Sequence, residues 1–113
     1  MTVLTKPLDQ ITWLDIEQLC AHGGAYESQT LEFKRDLPNR HGQPDRWGLG
    51  GDFIAYARDQ LFREVVAFAN AQGGTLVLGI AETKDRPPRA FQITPVPRVR
   101  ELATRLEQAA QAY

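Results

Sequence analysis

From Gln29 to Lys34 apolar and polar positions alternate: Gln29, Leu31 and Phe33 point one way along an extended chain, and Thr30, Glu32 and Lys34 the other. The alternation predicts a half-buried strand over 29–34 with Glu32 and Lys34 side by side on its second face. Upstream, "ITWLDIEQLCAHGG" reads as a short helix, with Thr12 as N-cap, Asp15 in the first turn, Trp13, Ile16, Leu19 and Cys20 as its apolar stripe, and Gly23-Gly24 as its stop. Residues 36–51 carry two prolines, four glycines and no sustained period, which predicts a long loop. A helix over 52–70 follows, capped by Asp52. Its stripe is Ile54, Leu61, Val65 and Phe68, reinforced by Phe53, Ala57, Phe62 and Ala69, and Asn70 stands at its C-terminus. The apolar run "TLVLGIA", residues 75–81, predicts a strand buried on both faces, with Glu82 at its end. "ETKDRPPR" is a polar loop and "AFQIT" a short strand. A final amphipathic helix over 97–111 starts at Pro97 and shows Val99, Leu102, Leu106 and Ala109/Ala110 on one face. The fold class is therefore α+β, a mixed sheet built around 29–34 and 75–81 and packed by two or three helices.

Length and composition narrow this picture. The 113 residues make at most one domain, and 42% apolar with 24% charged residues is a globular balance. No apolar stretch approaches the roughly twenty residues of a membrane span, and the N-terminus lacks the apolar core of a signal peptide. A cytoplasmic domain with no membrane partner is the expectation. The single cysteine, Cys20, excludes an internal disulfide and a cysteine-based zinc cluster, and its place on the first helix predicts a buried thiol.

A net charge of -1 conceals a split along the chain. Residues 1–32 hold Lys6 against Asp9, Asp15, Glu17, Glu27 and Glu32, whereas residues 83–100 hold Lys84, Arg86, Arg89, Arg98 and Arg100 against Asp85 alone. That basic run could meet a phosphate backbone or be a solvated loop. With a pI near 6.1 any nucleic-acid contact should be local. Arg46 beside Trp47 in the long loop is a candidate phosphate-contacting and base-stacking pair, although the tryptophan could equally tuck into the core. "WGLGGD" before a helix offers a phosphate cradle or, lacking the Gly-Lys-Ser/Thr of a P-loop, a hinge. His22 and His41 have no partner at metal-ligand spacing and read as plain polar residues.

"ESQTLEFK" followed by "REVVAFANAQGGTLVLGIAE" resembles the Schlafen AlbA-type family, over about Thr12 to Glu82 with a weaker continuation to the C-terminus. The resemblance implies a Schlafen-core-like fold and a function in nucleic-acid processing or binding, with RNA or DNA as partner and structured RNA such as tRNA as substrate. It implies Glu27, Glu32 and Glu82 as catalytic acids that also hold Mg2+ or Mn2+, with Lys34 as the lysine of the E-F-K tripeptide. Two departures stand out. The third acid of the family is usually aspartate and here is Glu82. Further strands are expected after the final helix, so the chain should belong to a longer protein with more domains; self-association is left open.

The chemistry of these residues agrees. Three converging carboxylates supply hard oxygen ligands to a divalent ion, and a lysine offsets the negative charge that develops on a cleaved phosphodiester. A plainer reading stays beside it, in which Glu32 and Lys34 form a solvated ion pair and Glu27 merely precedes a strand. The E-x-K tripeptide also occurs in restriction-type nuclease cores, which need an upstream strand aspartate where this chain has Asp15 on a helix. Two alternatives to an endoribonuclease therefore remain: a non-catalytic DNA- or RNA-binding module of a transcriptional regulator, and a protein-interaction or sensing domain.

Overall fold

The computed structural model describes residues 7–21, 23–40, 46–71 and 73–112. A 3-10 turn, Leu8–Gln10, leads into helix α1, Trp13–Leu19. Its start is fixed by a reciprocal cap: Asp15 N–H donates to Thr12 Oγ1 at 3.3 Å while Thr12 N–H donates to Asp15 Oδ2 at 2.8 Å. Leu19 is buried, but Trp13 stays 63% exposed, so the inward stripe is narrower than expected. The helix ends at Cys20, and Gly23 and Gly24 reverse the chain at φ 88 and 89. Only glycine fits at 24, because a Cβ there would lie 1.9 Å from the Ala90 carbonyl oxygen.

That close approach lets residues 25–27 pair with 88–90 through Ala90 N–H to Ala25 O at 2.7 Å and Glu27 N–H to Pro88 O at 2.8 Å. Strand β1, Leu31–Lys34, follows. It begins two residues later than the alternation predicts because Ser28 and Leu31 close a tight turn, Ser28 N–H to Leu31 O at 3.0 Å, with Thr30 N–H on Ser28 Oγ at 3.2 Å. Leu31 and Phe33 are buried and Glu32 and Lys34 half-buried, as the period-2 pattern requires.

Helix α2 is Ala55–Ala69. Ile54 is its N-cap and no side chain caps it, so the expected cap at Asp52 is not made; Asn70 is the C-cap as read. Ala57, Leu61 and Phe62 are buried, whereas Val65 is 45% exposed, so the stripe faces the core only along its first half. The run 75–81 is not one strand. Gly79, at φ 96, divides it into β2, Thr75–Leu78, and β3, Ile80–Glu82. β2 is half-buried throughout rather than buried on both faces. Strand β4 is Ala90–Ile93, and helix α3 is Val99–Gln111.

β1 pairs parallel with β2, Glu32 opposite Leu76 and Lys34 opposite Leu78, and β3 pairs antiparallel with β4. The fold is thus α+β as expected, but the strands form two two-stranded sheets, one parallel and one antiparallel, rather than a single mixed sheet, because the chain turns at Gly79 between β2 and β3. One apolar cluster, Leu19, Leu31, Phe33, Ile80 and Ala90, packs on the α1 side. The other, Leu37, Trp47, Ala57, Leu61 and Leu102, packs on the α2/α3 side with Leu76 and Leu78. Full burial of each large side chain contributes about 1.5–3 kcal/mol. β1 lies between the clusters, so its polar residues sit against α2 rather than in open water.

Candidate functional site

Lys34 and Glu32 share a face of β1, and a third residue joins them. Lys34 Nζ lies 3.8 Å from Glu32 Oε1 but only 2.9 Å from Oε1 of Glu64 on α2. Sequence reading missed Glu64. Its signal was nevertheless present, since Ala57, Leu61, Glu64 and Phe68 are spaced four, three and four apart, which puts an acid on a core-facing stripe. Glu64 Oε2 is shut off from solvent and has no donor among the described residues. The Glu32 carboxyl is within hydrogen-bonding reach of Glu64. The Glu32 pKa is raised by burial and by the Glu64 charge, with Lys34 opposing and Glu27 adding. Burial depresses the Lys34 ammonium, but the Glu64 hydrogen bond and the charges of Glu64, Glu32 and Glu27 outweigh it and raise its pKa.

Glu27 sits at the entrance to β1, where its Oε1 accepts from Phe33 N–H at 3.0 Å. Its carboxyl interacts with that of Glu82 at the end of β3. Although Glu82 is an exposed residue, partial desolvation at the cleft edge, that interaction and the charges of Glu27 and Glu32 push its pKa up to about 7, with Lys34 opposing. Residues far apart in the chain, Glu27, Glu32, Lys34, Glu64 and Glu82, are thereby electrostatically joined. Beside them Phe33, Lys34, Arg35, Asp36, Pro38, Ala81 and Glu82 line an open cleft of about 420 Å³ at the C-terminal ends of β1 and β3.

The carboxyls stand as two pairs, Glu27 with Glu82 and Glu32 with Glu64. Among the described residues no three His, Cys, Asp or Glu side chains converge as a metal-ligand set. Glu32 turns to Lys34 and Glu64, unlike the expected third ligand. Asp15, the aspartate of the restriction-type alternative, is spent on capping α1.

The basic candidates separate into held and exposed groups. Trp47 is 3% exposed, donates Nε1–H to Pro97 O at 2.7 Å and carries Arg98 stacked 3.8 Å over its ring. A ring so covered offers no face to a base, which corrects its expected stacking role. Arg98 also donates to Trp47 O and Gly51 O, both at 2.8 Å, and so holds the long loop against the start of α3; it is structural rather than a free phosphate contact. These bonds explain why Arg98, a non-glycine residue, adopts φ 51. Arg89 likewise reaches Asp85 at 3.0 Å, Gly23 O at 3.0 Å and the Tyr26 ring, and the Asp85 carboxyl is held below its ordinary range by that hydrogen bond. Lys84 and Arg86 are exposed on the β3–β4 loop, and Arg46 at the end of the long loop.

The "WGLGGD" stretch forms a turn, with Gly50 N–H to Trp47 O at 3.0 Å and Gly51 N–H to Arg46 O at 2.7 Å, so these two amides are not left for a phosphate. Cys20 is half-buried, and burial raises its thiol pKa away from nucleophilic character. His22 and His41 lie outside the described residues. No helix among the described residues is long and apolar enough to cross a membrane.

A family model described as Schlafen, AlbA_2 matches residues 27–111, which contain every member of the carboxylate–lysine group. The chain belongs to this Schlafen, AlbA_2 family, and its function is nucleic-acid-related. No curated protein and no solved structure matches it.

Proposed function

We propose that this domain is an RNA-directed phosphodiesterase of Schlafen type, with its site in the cleft at the ends of β1 and β3. The observation that supports this reading most is that Lys34 and Glu82 line one open cleft, with Glu27 and Glu32 within electrostatic reach of Glu82. A phosphodiester entering there finds Lys34 and the exposed Arg35 as cations for its non-bridging oxygens.

A divalent ion is part of the proposal, and the Glu27–Glu82 pair fits it. Their carboxyls are hard oxygen donors, and Mg2+ is commonly held by one or two carboxylates with waters and substrate phosphates completing the shell. When bound, the ion would polarise the phosphoryl group and lower the pKa of a bound water. The residues' own parts are distinct: Glu27 is oriented by Phe33 N–H, Glu82 takes up or releases a proton near neutral pH, and Lys34 supplies fixed positive charge.

The second reading is a binding module without chemistry, favoured by the absence of a three-carboxylate ligand set among the described residues. Incubation of the 113-residue protein with tRNA and Mn2+ separates the two. The expected result is cleavage by the parent, reduced by about a hundredfold or more in Glu82→Gln. Tight tRNA binding with no Mn2+-dependent cleavage by the parent would leave the binding module as the correct account.

A further inference from the structure

We propose that Glu64 is the positioning residue for Lys34: from α2 it anchors the ammonium group, so that the cleft presents RNA phosphate with a cation fixed in place. This rests on the RNA-directed reading given above. Glu64 faces inward on the same stripe as Ala57 and Leu61, where an acid costs stability unless it is paired. The pairing it finds is with Lys34, 2.9 Å from Oε1, nearly an ångström closer than Lys34 comes to its own strand neighbour Glu32. Both side chains are only partly exposed, 24% for Lys34 and 28% for Glu64, so water screens the pair less than it would a surface ion pair. The bond ties a helix to the strand that carries the site.

Stability alone does not explain an acid there. Oε2 is left without a donor among the described residues, and an apolar side chain would fill the stripe at no such cost. What the carboxylate adds is direction. Lys34 has a flexible four-carbon stem and lines the cleft, and three other acids, Glu27, Glu32 and Glu82, lie within electrostatic reach of it or of one another. A fixed partner on α2 gives the ammonium one place among those competitors.

The test turns on a sign. Simple electrostatics says that removing a negative charge beside the cleft should tighten RNA binding. Positioning says the opposite: Glu64→Gln, which keeps the side chain's shape, should weaken binding of a single-stranded RNA of about 12 nucleotides by about three- to tenfold at low salt. In a double-mutant cycle with Lys34→Met, the Glu64→Gln substitution should add no further loss. Tighter or unchanged binding by Glu64→Gln, or losses that simply add, would overturn the proposal.

A second measurement does not depend on RNA. In nitrogen-15 NMR of the free protein, the Lys34 ammonium signal, slowed in exchange by its bond to Glu64, should be visible in the parent and absent from Glu64→Gln. Its persistence in the variant would overturn the anchoring. If the parent binds no RNA, the functional reading and the phosphate role of Lys34 fall together, while the ammonium signal still decides whether Glu64 holds that side chain.

Discussion

Among the described residues, Glu82 is the one whose pKa is pushed up to about 7. Its ordinary pKa is 4.5 and its folded value is about 7, so between those values the folded chain binds more protons than the unfolded one. Stability contributed by that proton is present at low pH and falls as pH rises through this window. Glu32, also raised, acts in the same direction. Thermal melts without divalent ions should therefore show a midpoint a few degrees lower at about pH 7.5 than at about pH 5, and Glu82→Gln should remove much of that drop. A flat profile in the parent would mean that the carboxyls do not interact. Trp47 is a contrasting case. It was legible as a tryptophan that would either stack on a base or enter the core, and the deciding contacts, Pro97 O and Arg98, lie fifty residues away where no local pattern points. Trp47→Phe should cost about 1–3 kcal/mol in denaturant unfolding, through the lost hydrogen bond to Pro97 O and a weakened cation–π contact, and leave RNA affinity within about twofold. A loss of RNA affinity without loss of stability would restore the stacking role.

At the scale of elements, the strongly periodic segments were readable and the places where backbones meet were not. The alternation over 29–34 and the Ile54, Leu61, Val65 and Phe68 stripe are local signals; the strand forms two residues late, at Leu31–Lys34, and the helix spans Ala55–Ala69 within the expected 52–70. Gly79 carries no such signal within "TLVLGIA", yet its φ of 96 breaks the run because one half follows β1 and the other follows β4. That break aims Glu82 toward Glu27. Gly24 shows the same dependence on a distant segment: Gly24→Ala should destabilise the fold by several kcal/mol, because the new methyl meets the Ala90 carbonyl and the backbone sits at positive φ. Urea unfolding measures this, and a change under about 1 kcal/mol would show that residues 25–27 do not pair closely with 88–90. The basic run divides in a way its spacing could not reveal. Glutamate at both Lys84 and Arg86 should weaken RNA binding and lower the log–log salt slope by about two, whereas Arg89→Ala should chiefly loosen the loop it ties to Gly23. Equal effects on the slope from Arg89→Ala alone would make it a phosphate contact after all.

At the scale of the whole molecule, two apolar clusters hold β1 between helical layers, and the carboxylate–lysine group collects along and beyond that strand. The family motif made Glu27, Glu32, Lys34 and Glu82 legible as one group; it did not reveal that Lys34 is held by Glu64, which lies outside the motif on α2. On the proposed reading, Glu27 and Glu82 would hold a divalent ion, while Glu32 and Glu64 stay with Lys34. The most direct measurement is anomalous scattering from crystals soaked in Mn2+. The expected result is a single strong peak bound by carboxylate oxygens of both Glu27 and Glu82, lost in Glu82→Gln crystals. A peak elsewhere, or none beside these two carboxylates, would contradict the assignment of this cleft as a metal-assisted phosphodiesterase site.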